Sequence, residues 1–542
     1  MPLEVPEDVL YILCDKLADA KDFDTLFQCA LTAKRFAVPA LTTLYRHHDA
    51  SPVIGGGGDG QPPPKVQKWS IMWRSIIASS LEATAFPYCR YIKTLDFRDL
   101  IVLLELFQDP RFMRKDIIKD FFSGEMSGFK IMNKVGRKGV LDVSATVEAI
   151  GDAMTPHTPF VEVITGNVKA SALIKWPPRL PRLTSLQLWA GDALSDPKAQ
   201  DAIIEHCPKF NALSFYIWIG EAADQQLASF LSGLQPQQLK YFETISHADL
   251  GEGALLSLSS HGQSLKNLKM ALRPSTIAHL GLLKTCTALE SLELEYSNSR
   301  ENPLDLEATQ HDVFVEVQQW LRECKNLNSL LFSGIVSALK LVTPVLLQHE
   351  IKLSHLSVDC YEAHNAAEFH RALTHQTSLQ WLQLTADSDA MTRDDIDLVV
   401  ETLTQLEQLR HIKLIGVSDY FNDEHIIALA RSLPHLDDVY FTGLQVGDAI
   451  LADLAKLRDL RRLEVASIST FTFEGLLDFA ERLGPGNRGI EFRVEAAAPE
   501  SKLSDEELQV INQQLAAKVD GKLEWVLYRD PQEEQIDESD SD

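Results

Sequence analysis

No apolar run in this 542-residue sequence approaches the roughly 18–20 residues that a helix needs to cross a bilayer. Basic residues are scarce as well: 51 lysines and arginines stand against 77 acids, for a formal net charge of −26. Nucleic acid and anionic membrane are both negatively charged, so neither is an expected partner. The cysteines number seven and include no C-x-x-C pair, which points to a reduced chain in the cytoplasm or nucleus. The opening MPLEVPEDVL has neither a basic stretch nor a long apolar core, so no secretory signal is expected. Signatures of catalysis are missing too: there is no Gly-rich phosphate loop ending in Lys-Ser/Thr, no H-E-x-x-H and no G-x-S-x-G. GGGGDG precedes prolines instead of joining a strand to a helix, so it is no dinucleotide site. No enzyme activity, cofactor or metal is expected.

What the chain does have is enough apolar residue, 45%, to bury more than one core. Its first unit is small. Val9, Leu10, Leu13 and Leu17 form a stripe at helical spacing, with Pro6 at the helix start and Glu7 and Asp8 in the first turn, where the helix dipole favours anions. A second helix is expected from Asp24 as cap, with Leu26, Phe27, Cys29, Ala30 and Leu31 inward, and a third from Lys34 or Pro39 through Tyr45. Three helices in so short a span make a core of marginal size that gains stability by docking on a partner. Residues 50–68 then read as a linker, with Gly55 to Gly58 permissive and Pro62 to Pro64 favouring extended chain.

The remainder repeats. Segments such as LTSLQLWAG (183–191), LESLELEYS (289–297), LQWLQLTAD (379–387) and LRRLEVASI (460–468) share the pattern L-x-x-L-x-L. From Leu183 onward most starts lie 24–30 residues apart, a period that belongs to leucine-rich repeats. Helical segments fall between them, capped by Thr392, by Asn422, and by Ser504 with Glu507 as a capping box. The expected fold class is therefore α/β: parallel strands on a concave face, helices on a convex face, over residues 69–530. WSIMWRSIIASSL (69–81) is expected to cap the solenoid and brace the first unit. An irregular insertion is expected around 101–180, and an acidic, disordered tail over 531–542.

Cys89, Cys207, Cys286 and Cys324 each stand six residues before the second apolar position of a strand, where other repeats carry leucine. That exchange implies packing and not metal binding. The asparagine that often closes the repeat motif is absent, so the turns must satisfy their backbone otherwise. Because side chains alternate along a strand, the residues beside the inward leucines face solvent. Trp189, Tyr216, Glu293, Glu295, Asp359, Trp381, Lys413, Tyr440 and Arg462 are the candidate substrate contacts. Acids outnumber bases on this face and no arginine cluster could fork a phosphate, which suits a protein segment of basic character.

The pattern of Pro6, Val9–Leu10, Ile12–Leu13, Leu17, Asp22–Phe23, Leu26, Cys29, Ala30, Lys34–Arg35–Phe36 and Leu41 resembles an F-box, and ALTAKRFAVPALTTLYRH resembles the form common in fungal F-box proteins. The match covers residues 1–49. Val5 replaces the frequent leucine before proline, and Phe36 stands where many members carry tryptophan. The resemblance, joined to leucine-rich repeats, implies a substrate receptor of SCF-type cullin ubiquitin ligases. It implies that Pro6, Val9, Leu10, Leu13, Leu17, Leu26, Leu31 and Phe36 bind a Skp-family adaptor and through it a cullin, while the repeats select an unknown protein for ubiquitin-dependent degradation. The alternative is a non-degradative interaction scaffold.

Overall fold

The computed structural model describes residues 5–54, 63–109, 115–135, 138–296, 303–362, 366–386, 393–417, 420–443 and 446–528. Gly55 to Gly58, Thr392 and the acidic tail lie outside them. The chain divides into two compact units, Met1–Ser264 and Leu265–Asp542.

The first unit opens with three helices, α1 (Glu7–Asp19), α2 (Phe23–Thr32) and α3 (Lys34–Arg46). Asp22, not Asp24, caps α2, its side chain accepting from Thr25 N at 3.0 Å. Helix α3 runs unbroken through Pro39, whose ring is buried. The core of this bundle is Cys14, Ala18, Leu26 and Ala40, with Leu17, Cys29, Ala30 and Leu44 packed against it. Small side chains at Cys14, Ala18 and Ala40 let the helices approach closely. Asp15 ties α1 to α3, accepting from Thr43 Oγ1 at 3.1 Å and Arg46 Nη1 at 3.3 Å.

Helix α4 (Pro63–Ser80) begins six residues before the expected Trp69, inside the expected linker. Proline suits a first helical turn, where its missing N–H costs nothing. Trp69, Trp73, Ile76 and Ile77 are all buried. Both indoles donate to one carboxylate oxygen of Asp99 in α5 (Phe97–Leu106), at 2.7 and 2.6 Å. His48 stands edge-on to Trp73, and Tyr45 packs on Tyr88 with ring centroids 4.4 Å apart. The three-helix bundle is thereby braced against α4, as expected.

Five strands of the first unit form a parallel ladder: β1 (Thr94–Asp96), β4 (Val163–Gly166), β5 (Ser185–Ala190), β6 (Ala212–Ile217) and β7 (Tyr241–Thr244). An antiparallel hairpin, β2 (Met132–Val135) with β3 (Lys138–Leu141), and short helices fill the insertion between β1 and β4. The second unit repeats strand and helix through β8 (Asn267–Leu272), β9 (Ser291–Tyr296), β10 (Ser329–Ser333), β11 (His355–Tyr361), β12 (Trp381–Ala386) and β13 (His411–Ile415). It continues with β14 (Asp438–Phe441), the short β15 (Val446–Gly447), β16 (Arg462–Thr470), β17 (Glu491–Ala497) and β18 (Lys522–Leu527). All the pairs described within this unit are parallel.

The missing asparagines have substitutes. Gln376 occupies the slot that other repeats fill with cysteine or leucine, and is 1% exposed. Its Nε2 donates to Leu346 O at 2.8 Å and its Oε1 accepts from Leu353 N at 2.9 Å. Asn487 reaches Leu457 O and Leu460 O, and His261 reaches Leu231 O, in the same manner. On the other side of the strands, Asp224 accepts from Gly251 N, Gly253 N and Ala254 N at 2.7–3.1 Å, capping the following helix. Asp423 and Asp448 do the same for Gly447 N and Thr472 N. Gln376→Leu keeps the volume but strands a buried carbonyl and a buried N–H. It should cost about 2–4 kcal/mol in chemical denaturation of the whole chain, whereas the exposed Gln405→Leu should cost under about 0.5 kcal/mol.

Burial raises the Asp99 carboxyl to about 6 despite its two indole donors. A carboxyl with a raised folded value stabilises fully below the ordinary carboxylate range, and that contribution is lost as pH rises through about 6. His48, pushed down by burial, titrates in the opposite sense. Comparison with Asp99→Asn therefore isolates the carboxyl. The variant should gain on the order of 2–3 kcal/mol relative to wild type between pH 4 and pH 7.5, read from urea midpoints at each pH. An unchanged difference across that range would contradict the assignment.

Candidate protein-interaction surfaces

Two surfaces carry the residues singled out by sequence. The first lies on the three-helix bundle. Helix α1 turns Leu10, Cys14 and Ala18 inward, so of the expected stripe of Val9, Leu10, Leu13 and Leu17 only Leu10 is buried. Leu10 is only 1% exposed and Leu26 is fully buried, so both are core and neither can touch an adaptor. Leu17 and Phe36 are half-buried, and Pro6 and Val9 are exposed. Leu13 and Leu31 are the outward members of the expected set, 49% and 66% exposed. Phe27 and Leu31, expected inward, point to solvent instead, because Phe23 and Leu26 already fill the α2 contact. Ile12 is 58% exposed and Val5, Phe27 and Val38 join it. All four stand outside the set expected to bind an adaptor, since a stripe of adjacent apolar pairs does not say which member faces in.

The second surface is the solvent face of the strands. In the first unit Trp189 on β5 and Tyr216 on β6 stack face to face, ring centroids 4.5 Å apart and planes within 6°. Their spacing is that of neighbouring strands, so both rings stand upright on the sheet. Gln187 and Thr165, one row below, are satisfied by a 2.6 Å hydrogen bond to each other.

In the second unit the expected residues fall into three rows. Trp381 lies between His355, stacked on it at 6.2 Å, and His411, in register with it on β13. His411 Nδ1 is 3.0 Å from Asp437. In the next row Glu293, Lys413 and Tyr440 project, with Glu293 paired to Lys269 at 3.1 Å. Tyr440 is half-buried, and burial pushes its hydroxyl up. In the third row Glu295 is half-buried, while Asp359 accepts from Ser333 Oγ at 3.0 Å and from Cys360 N at 2.8 Å. Cys360 has φ of 59°, the left-handed region, so Asp359 shapes the bulge of β11. Arg462 is no free basic spot. Asp438, Glu464 and Glu491 surround it at 3.4–3.8 Å. Arg493 and Lys522 are likewise paired with Glu495, Glu524 and Glu491. The last strands thus carry a self-compensated lattice of charge.

The repeat cysteines are buried among these strands' supporting turns. Cys324 Sγ lies 3.4 Å from Cys286 O and 3.3 Å from Trp320 O. Among the described residues no group of three His, Cys, Asp or Glu side chains is placed to hold a metal, and no helix is long and apolar enough to cross a membrane.

This geometry defines a class: a three-helix unit preceding leucine-rich repeats, with parallel strands on one face and helices behind. No protein-family model matches the sequence, and no curated protein does. Among solved structures, a chain of the yeast Rad7–Elc1 complex is similar at 13% identity and a TM-score of 0.37, over 67% of this chain and 86% of that one. A chain of the mouse RP105/MD-1 complex is similar at 13% identity and a TM-score of 0.35, over 69% of this chain and 66% of that one. Scores this low lend no weight to the fold, which rests on the strand ladder itself.

Burial pushes the thiols of Cys207, Cys286 and Cys324 up to about 12. Only the thiolate attacks a disulfide reagent, and at pH 8 roughly one in 10⁴ of such thiols is ionised. Native protein should therefore leave these three unlabelled by Ellman's reagent at pH 8 and release them on denaturation, as located by peptide mass mapping.

Proposed function

We propose that this chain is a substrate receptor of an SCF-type ubiquitin ligase. In this reading the three-helix unit is an F-box that docks on a Skp-family adaptor and through it a cullin. The repeats hold a target protein, and the chain itself catalyses nothing: it supplies proximity and orientation while other subunits transfer ubiquitin. Such a protein would work in the cytoplasm or nucleus.

One observation carries the proposal. The bundle closes its core with Leu10, Cys14, Ala18, Leu26 and Ala40, yet leaves Val9, Ile12, Leu13, Phe27, Leu31 and Val38 exposed. An apolar set of that size on so small a unit is a docking surface. Val9, Leu10, Ile12, Leu13 and Leu26 belong to the pattern that resembles an F-box, and Leu31, Val38 and Ala40 to the segment that resembles the fungal form.

Purified chain should be captured by immobilised Skp-family adaptor. Leu13→Asp with Leu31→Asp should weaken capture roughly thirtyfold or more while leaving far-UV circular dichroism unchanged, because both side chains are outside the core. Leu10→Asp should instead unfold the bundle. Undiminished capture by the first variant would sink the proposal. Recovery of adaptor without cullin from cells would favour the scaffold over the receptor.

A further inference from the structure

The solvent-facing rows of the strands are not alike. In the second unit the basic side chains of the last strands already sit among carboxylates, at 2.9–3.8 Å. A ligand there would have to break existing pairs. In the first unit the solvent face differs in kind. Trp189 and Tyr216 stack upright, and Ile245, the residue just past the end of β7, extends the row, its N–H donating to Phe215 O. Trp189 is 51% exposed, and Tyr216 and Ile245 are also exposed. The result is an apolar ridge across three adjacent strands, its rings held rigid by each other.

The rim of this ridge is acidic. The segments that follow Trp189, Tyr216 and Thr244, residues 190–196, 217–224 and 245–252, contain not one lysine or arginine. Asp192, Glu221 and Glu252 in them are exposed. Rigid aromatics at the centre and like charges at the edge are the anatomy of a protein-binding hot spot with a steering rim.

We infer that the Trp189–Tyr216–Ile245 ridge is the primary docking site for a target segment that presents an apolar side chain flanked by lysine or arginine. This rests on the receptor reading, for it names what the repeats of such a receptor hold. The ridge needs no adaptor to bind, so the two readings fail separately.

The test is selection of a phage-displayed random peptide library on the full chain, without adaptor. Enriched sequences should pair an aromatic or aliphatic residue with neighbouring lysine or arginine. Synthetic peptides made from them should bind with an affinity that falls as salt rises. Trp189→Ala with Tyr216→Ala should weaken them roughly tenfold or more. Asp192→Lys with Glu221→Lys should weaken them as well and slow their association, and thermal melting of both variants should match wild type because all four side chains lie on the surface. Enrichment of acidic peptides, affinities indifferent to both variants, or no enrichment above that on the Trp189→Ala, Tyr216→Ala chain would each overturn the inference. Loss of adaptor capture with peptide binding intact would overturn the receptor reading and leave the ridge standing.

Discussion

In most repeats one backbone carbonyl accepts two N–H groups from the residues that enter the next strand. Lys93 O takes Glu162 N and Val163 N, Glu162 O takes Thr184 N and Ser185 N, and Gln380 O takes Arg410 N and His411 N. This forked bond sets the first residues of each such strand beside those of its neighbour. It places Leu95, Ile164, Leu186, Leu213 and Phe242 in one buried row of the first unit. Leu292, Leu330, Leu356, Leu382, Ile412, Val439 and Leu463 do likewise in the second. A slip of one residue would turn every one of these to solvent, so register and core are a single constraint. It holds even where residues 97–162 intervene between β1 and β4, which is why an insertion with its own hairpin does not disturb the ladder.

That constraint explains what the sequence made legible. L-x-x-L-x-L alternates because the strand does, and repeats carrying the leading leucine could be placed to within a residue or two. β17 and β18 escaped because Gly489 and Asp520 stand three residues before Phe492 and Leu523, where the leading leucine is expected. Gln376, His261 and Asn487 escaped for another reason: polar residues read as surface unless the orphan carbonyl that each one meets is already known. Asp99 is the same case, a carboxylate buried because two indoles reach it. In the bundle, weight given to leucine over small residues set Val9, Leu13 and Leu17 in one stripe with Leu10, where Cys14 and Ala18 complete the buried face. Cys14 and Ala18 had the stronger claim to the core, since small side chains permit close helix contact.

The division of labour follows from the same geometry. Inward positions are fixed by register, which leaves only outward rows free to vary. Toward the C-terminal end of the second unit those rows have become ion pairs that hold one strand to the next. On β5 and β6 they have become exposed rings. The three-helix bundle, closed without its outer apolar residues and braced by Tyr45 and His48, presents a separate surface of its own.

Hydrogen exchange of the full chain, alone and with purified Skp-family adaptor, tests this arrangement most directly. Slowed exchange is expected in α1 and α2 around Ile12–Leu13 and Phe27–Leu31, with the amides of β8 to β18 unchanged. Protection confined to the strands, or none in α1 and α2 at saturating adaptor, would contradict it.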